Sequence, residues 1–217
     1  MENRGYYIID RSCLFSSIHE LWNTRPEYKN NKLDLGKLSE ALMRKWSVNI
    51  GATIRINYYF KKNEPRMDSM LIIPQSINPG VRDHWQIKQC AENVRNTIPQ
   101  EELLKLSPKY RDLYPRSEKG LDIKLTCDTL IFAASNKASN FVFLVNDRDY
   151  VPLFEAIQTL GGNVYLTALD SKQKIHEGLS NVSDRFLTLD EELPNIFGIE
   201  PKLKDKIQLP QQVLNIK

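Results

Sequence analysis

Three cysteines and three histidines among 217 residues leave little material for a disulfide framework or a zinc site. Cys13, Cys90 and Cys127 are scattered, with no CxxC pair and no zinc-ligand spacing, so neither scaffold is indicated. No apolar run is long enough to cross a bilayer, and the first apolar stretch begins only at Tyr6, with no basic segment leading into it. The expectation is a soluble, intracellular, cytoplasmic protein. Neither GxGxxG nor a Walker A segment occurs, which sets NAD-binding and NTPase chemistry aside. Excess charge is also scarce: 30 Lys and Arg against 27 Asp and Glu leave a formal +3. That balance does not oppose a polyanionic partner, and it requires any acidic cleft to be local.

What is present is an alternation of apolar strings. Hydrophobic residues make up 41% of the chain, enough for a sizeable core. Tyr6 to Ile9 is short, unbroken and rich in β-formers, the pattern of a strand buried on both faces of a parallel sheet, and it ends at Asp10. Helical spacing follows through Leu14, Ile18, Leu21 and Trp22 up to Pro26, and again through Leu35, Leu38, Leu42 and Trp46. Ile54, Ile56, Tyr58 and Phe60 alternate as in a strand. Residues 61–117 carry many prolines and read as an elaborated connection, with one helix expected across Trp85 to Val94. The clear pattern returns with a helix from Leu121 to near Ser135 and a strand from Phe141 to Val145. A helix from Tyr150 to Leu160 stopped by Gly161-Gly162, a strand from Val164 to Leu169, a short helix near Ile175 to Asn181 and a small strand at Phe186 to Leu189 follow. The fold class expected is α/β, a Rossmann-like three-layer sandwich with a mostly parallel central sheet. It would fill residues 1–198, with 199–217 a peripheral tail. Active sites in such sheets form beyond the carboxyl ends of the strands.

Two strands end there in acid: Asp10 after the first, and Asp147 and Asp149 after Phe141 to Val145; Asp122 opens the helix before the latter. In a parallel sheet these residues share one edge. Two carboxylates about 4 Å apart repel by roughly 4 kcal/mol at an effective dielectric of about 20, so a group of them takes up protons or binds a cation. Oxygen ligands with few histidines favour Mg2+ or Mn2+ over zinc. Each acid also has a plain structural reading. Asp10 suits a helix cap, as does Ser12; Asp149 sits where the cap of the next helix belongs; Asp122 suits a first turn. Asp128, six residues past Asp122, does not share its helical face and is a candidate only to act from behind the site.

Three ordered blocks then resemble the NYN domains of the PIN-like nuclease superfamily. Tyr7-Ile8-Ile9-Asp10-Arg11-Ser12-Cys13-Leu14-Phe15 is similar to the family's opening strand and Asp-Gly-x-Asn-Leu. Glu118-Lys119-Gly120-Leu121-Asp122-Ile123-Lys124-Leu125 is similar to its Lys-Gly-x-Asp block. Leu144-Val145-Asn146-Asp147-Arg148-Asp149-Tyr150-Val151-Pro152-Leu153 is similar to its Gly-Asp-x-Asp-Phe-x-Pro-Leu block. The resemblance covers roughly residues 5–195. It implies a PIN-like sheet, a divalent metal (Mg2+ or Mn2+) on Asp10, Asp122, Asp147 and Asp149, and endonucleolytic hydrolysis of RNA through metal-activated water. It places Arg11, Ser12, Cys13, Lys119, Asn146 and Arg148 at the substrate. The chain departs from the pattern at Arg11 and Asn146, where glycine is usual, at Cys13, where asparagine is usual, and at Arg148, where a small residue is usual.

Cys13 as a nucleophile is weighed against a buried, inert thiol, with His19, His84 and His176 in other segments. Tyr58 to Lys62 form an alternative RNA surface with an equally good reading as a strand end with exposed lysines, and Arg82, His84, Trp85 and Lys88 are the other candidate RNA surface. The main rival to the nuclease is a catalytically silent PIN-like module that binds RNA or a protein partner, with homodimerisation open. A metal-dependent phosphatase on a similar sheet is more distant.

Overall fold

The protein is described from a computed structural model, which describes residues 4–50, 52–61, 70–73, 85–90, 105 and 119–199. Strand β1 (Arg4–Asp10) is buried from Gly5 onward, as an uninterrupted apolar string in a parallel sheet requires. Helix α1 (Arg11–Thr24) begins at once behind it, followed by β2 (Leu33–Asp34) and α2 (Leu35–Ile50). Next come β3 (Ala52–Lys61), β4 (Leu71–Ile72) and β5 (Trp85–Cys90), then α3 (Lys119–Ala134) and β6 (Asn140–Leu144). A 3-10 turn at Arg148–Tyr150 leads into α4 (Val151–Thr159), β7 (Asn163–Ala168), α5 (Glu177–Val182), β8 (Arg185–Thr188) and a final short α6 (Leu193–Ile196).

Six strands form one sheet in the order β5-β3-β1-β6-β7-β8, every neighbouring pair parallel; β2 and β4 make a separate two-stranded pair. The chain winds outward from β1 through β3 to β5, then returns to β6 and winds the other way. The reversal falls between β1 and β6, the topological switch point at which open α/β sheets build their sites. The expected doubly wound sheet is therefore present.

Alternation along the strands divides the core into two. Tyr7, Ile9, Ile56, Tyr58, Val142 and Leu144 pack with Leu14, Leu38, Trp46 and Ile196 on the α1, α2 and α6 face. Tyr6, Ile8, Tyr59, Phe141, Phe143 and Leu166 pack with Leu125, Phe154 and Leu179 on the α3, α4 and α5 face. Gly5 starts β1 where Ile50 of α2 closes over it; a Cβ there would run into the Ile50 side chain. Gly161 ends α4 at φ +81°, the left-handed conformation of a glycine stop.

Two expectations need correction. Residues Trp85–Cys90, expected at the start of a helix reaching Val94, form the outermost strand β5 beside β3. Trp85-Gln86-Ile87-Lys88 alternates with period two, which suits a strand, but the rhythm is only four residues long and prolines stand on either side of it; Ala91 to Val94 lie outside the described residues. In β3, Ile56, Asn57, Tyr58 and Tyr59 are all buried. The alternation of apolar residues therefore belongs to an interior strand, and Tyr58 and Tyr59 serve the core, not an RNA surface. Most of the 61–117 connection and the 199–217 tail, with Arg82 and His84, lies outside the described residues. No described helix is long and apolar enough to cross a membrane.

Behind β7 and β8, Arg25 donates to both oxygens of buried Asp170, at 3.0 and 2.6 Å, and to Asp190 at 2.5 Å. Ser171 adds its backbone N–H and hydroxyl to Asp190. Burial of Asp190 works against its ionisation, but hydrogen bonding with Asp170, Thr188 and Ser171 prevails and lowers its pKa from 3.8 to about 2. Its folded pKa lies below its unfolded one, so its contribution is fully present above about pH 4 and lost as pH falls through about 2. Wild type should therefore exceed Asp190→Asn in urea-unfolding stability at pH 5, and the difference should close as pH approaches 2. A difference unchanged by pH would contradict this assignment.

Candidate active site at the switch point

The parity of β1 decides where Asp10 points. Tyr6 and Ile8 face the α3 and α4 side, so Asp10, two residues on, faces it too. The register pairs Ile9 with Leu144, placing Asp10 level with the residue that follows β6. Asp147 lies only two residues further, roughly 7 Å along the strand direction at about 3.3 Å per residue. Helix α3 starts at the same edge, with Asp122 in its first turn.

Asp10 is 2% exposed. Its Oδ1 accepts from the Ser12 N–H at 2.7 Å and the Cys13 N–H at 3.4 Å, so it is the cap of α1. Its Oδ2 accepts from the Cys13 thiol at 3.5 Å and the Tyr150 hydroxyl at 2.7 Å. The same hydroxyl lies 3.0 Å from Asp122 Oδ1. Burial raises the pKa of Asp10 despite these four donors, because desolvation penalises its charge more than they compensate. Burial, then Asp10 and Asp122, raises that of Tyr150, so the hydroxyl keeps its proton. One hydroxyl proton thus stands between two carboxylates. Only one of them can receive it at a time, and a second proton or a cation would complete the arrangement.

Asp147 and Asp149 stand on the turn after β6, both exposed. Asp147, not Asp149, does the capping here: its Oδ1 accepts from the Asp149 N–H at 3.0 Å to close the Arg148–Tyr150 turn, and Tyr150 occupies the cap position of α4. Among the described residues, no three His, Cys, Asp or Glu side chains come close enough together to enclose a metal ion. The pair that converges is Asp10 and Asp122. Its chemistry fits magnesium or manganese, which take hard oxygen ligands and keep several waters, often using only one or two carboxylates.

The other expected site residues are placed as follows. Arg11 is buried, its guanidinium 5.5 Å from the Phe15 ring centre and 5.7 Å from that of Phe60. Ser12 contributes its backbone N–H to Asp10. Burial first, then Asp10, drives the Cys13 thiol pKa far up, the setting of an inert thiol; exposed His19 stacks edge-on with Trp22, and His176 caps α5. The Lys119 side chain lies outside the described residues. Arg148 is exposed beside Asp147 and makes no ion pair among the described residues. Asp128 belongs to a different group, accepting from Tyr59 at 3.2 Å and from Lys124 at 3.4 Å.

Asn146, expected at the substrate, has both ends of its amide engaged by the segment after β7. It donates to the Lys174 carbonyl at 2.7 Å and accepts from the His176 N–H at 2.9 Å. Gln173 ties that segment to Ser17, and Glu20 accepts from the Lys174 N–H. Sequence reasoning missed this clamp, and it missed Tyr150. The signal for Tyr150 was present: the motif that this block resembles has phenylalanine there, so the tyrosine adds one hydroxyl to the motif's aromatic ring.

A mostly parallel, doubly wound sheet flanked by helices is the architecture of the PIN-like class of fold. The NYN domain family matches residues 21–190, and the chain belongs to that family. Asp122, Asp147 and Asp149 lie inside the matched span, and Asp10 lies before it. No curated protein matches the chain. Among solved structures, a protein of unknown function from Vibrio parahaemolyticus is similar, with 16% identity over 88% of this chain and 95% of that one at a TM-score of 0.49.

Replacing Asn146 by alanine should leave the sheet intact and release the segment it clamps. Amide exchange at His176 should quicken, and stability should fall by about 1–3 kcal/mol. Unchanged exchange at His176 would show that the clamp does not hold the segment.

Proposed function

We propose that this chain is a divalent-metal-dependent endoribonuclease whose site lies at the switch point between β1 and β6. The observation that carries the reading is the convergence of Asp10 and Asp122 on one point, the Tyr150 hydroxyl, at 2.7 and 3.0 Å. Asp10 and Asp122 would hold Mg2+ or Mn2+. A bound ion of this kind polarises a phosphodiester and makes water a stronger acid. The α1 N-terminus fixes the Asp10 carboxylate through the Ser12 and Cys13 amides, so this ligand is oriented before anything binds. Asp147 and Asp149, exposed on the adjoining turn, would meet the ion through water or accept a proton from the attacking water. Arg148 on the same turn would contact a phosphate, in the role first expected of Arg11 as well. RNA as substrate rests on family membership, and a phosphodiester suits the pairing of oxygen ligands with a neighbouring free cation.

The silent binding module has one observation in its favour: Asp10 already accepts from four donors, and burial favours its neutral form. Labelled RNA and DNA oligonucleotides, incubated with Mg2+, Mn2+ or EDTA, separate the two readings. Wild type should cut RNA only with metal. Asp10→Asn and Asp147→Asn should each lose about a hundredfold or more, since even residues that merely support a metal ligand cost about 10- to 100-fold. Folded wild type that cuts neither polymer with either metal would replace the nuclease by the binding module.

A further inference from the structure

The Asp10–Asp122 pair depends on a group that is itself neither acidic nor part of the acid pattern. We propose that Tyr150 is the positioning residue of the cation site: its hydroxyl holds both carboxylates to one point, so that a divalent ion meets a preformed pair. This rests on the reading of Asp10 and Asp122 as the cation's ligands.

Three observations carry it. The hydroxyl reaches Asp10 Oδ2 and Asp122 Oδ1 together, from residues 140 and 28 positions away in the chain. The ring cannot swing aside: Tyr150 is 1% exposed and packs in the core with Leu121, Leu125, Leu153 and Phe154. The backbone is fixed as well, because the Tyr150 N–H donates to the Asp147 carbonyl at 3.1 Å in the turn that carries Asp147 and Asp149. One residue therefore links three of the four acids: two through its hydroxyl and one through its backbone N–H.

The chemistry follows from charge and hydrogen bonding. Asp10 is locked by the α1 amides, whereas Asp122 is half-buried on the first turn of a helix. Two such carboxylates repel. The hydroxyl opposes this by offering its proton to either oxygen. Phenylalanine in its place keeps the ring and its packing and removes the one hydrogen-bonding group shared by the two carboxylates. The cost then appears in affinity, as it does when a hydrogen bond supporting a metal-ligating carboxylate is removed.

The test is calorimetric titration of the full chain with Mn2+ alone, without RNA, for wild type, Tyr150→Phe and Asp122→Asn. Tyrosine near-UV difference absorption is followed in the same titration, and unfolding in EDTA establishes that each variant is folded. The expected result is saturable binding by wild type with a matching tyrosine signal. Tyr150→Phe should bind about 10- to 100-fold more weakly and lose the signal, and Asp122→Asn should bind more weakly still. Equal or tighter binding by Tyr150→Phe, or wild-type binding with no tyrosine perturbation, would overturn the positioning role and leave the cation site standing. No saturable binding by wild type would overturn both.

Discussion

A carboxylate that ends a buried central strand must be satisfied where it stands, and the rest of the site depends on how Asp10 is satisfied. Water cannot do it, since the residue is 2% exposed. Two backbone amides of α1, the Cys13 thiol and the Tyr150 hydroxyl do it instead. These partners come from the helix directly after β1 and from the turn directly after β6. They are available only because the parallel register brings those two strand ends side by side. The winding that reverses between β1 and β6 thus places a buried charge, its donors and a second carboxylate in one crevice. Burial disfavours an isolated charge in that crevice, and the four donors of Asp10 offset it only in part.

The same edge also shows how acids are used structurally. Asp170 follows β7 and is as deeply buried as Asp10, yet Arg25 holds both of its oxygens. Position beyond a strand end therefore does not make an acid reactive; the identity of its partners does. Asp170 faces a guanidinium, which it shares with Asp190. Asp10 faces neutral donors, which orient the carboxylate without cancelling its charge. The segment between these two regions is bound to Asn146, Ser17 and Glu20, so the crevice is flanked by a tied wall.

Much of this was legible in the residues themselves. Unbroken apolar strings announced β1 and β6, and helical spacing announced α1, α2 and α3, so the sheet and its reactive edge followed from patterning. Asp10 and Asp122 could be assigned to that edge for the same reason. What stayed hidden depended on neighbours distant in sequence. Strand β5 was hidden by flanking prolines. Asn146 reads as a site residue until the segment 28 positions later closes on it. Asp147 takes the capping role expected of Asp149 because a 3-10 turn intervenes before α4, a detail of one hydrogen bond. Tyr150 looks like an ordinary first helical residue until its hydroxyl is seen between two carboxylates. Asp170 carries no local mark that separates it from Asp10.

The central claim is that Asp10 and Asp122 act as one unit toward a divalent ion. A double-mutant cycle on Mn2+ affinity tests it most directly, comparing wild type with Asp10→Asn, Asp122→Asn and the double variant by electron paramagnetic resonance. The account predicts one high-affinity ion, lost on either single substitution, with the double variant hardly worse than the singles, because groups that form one site are strongly non-additive. Independent, additive losses, or an ion that binds the double variant as tightly as wild type, would contradict it.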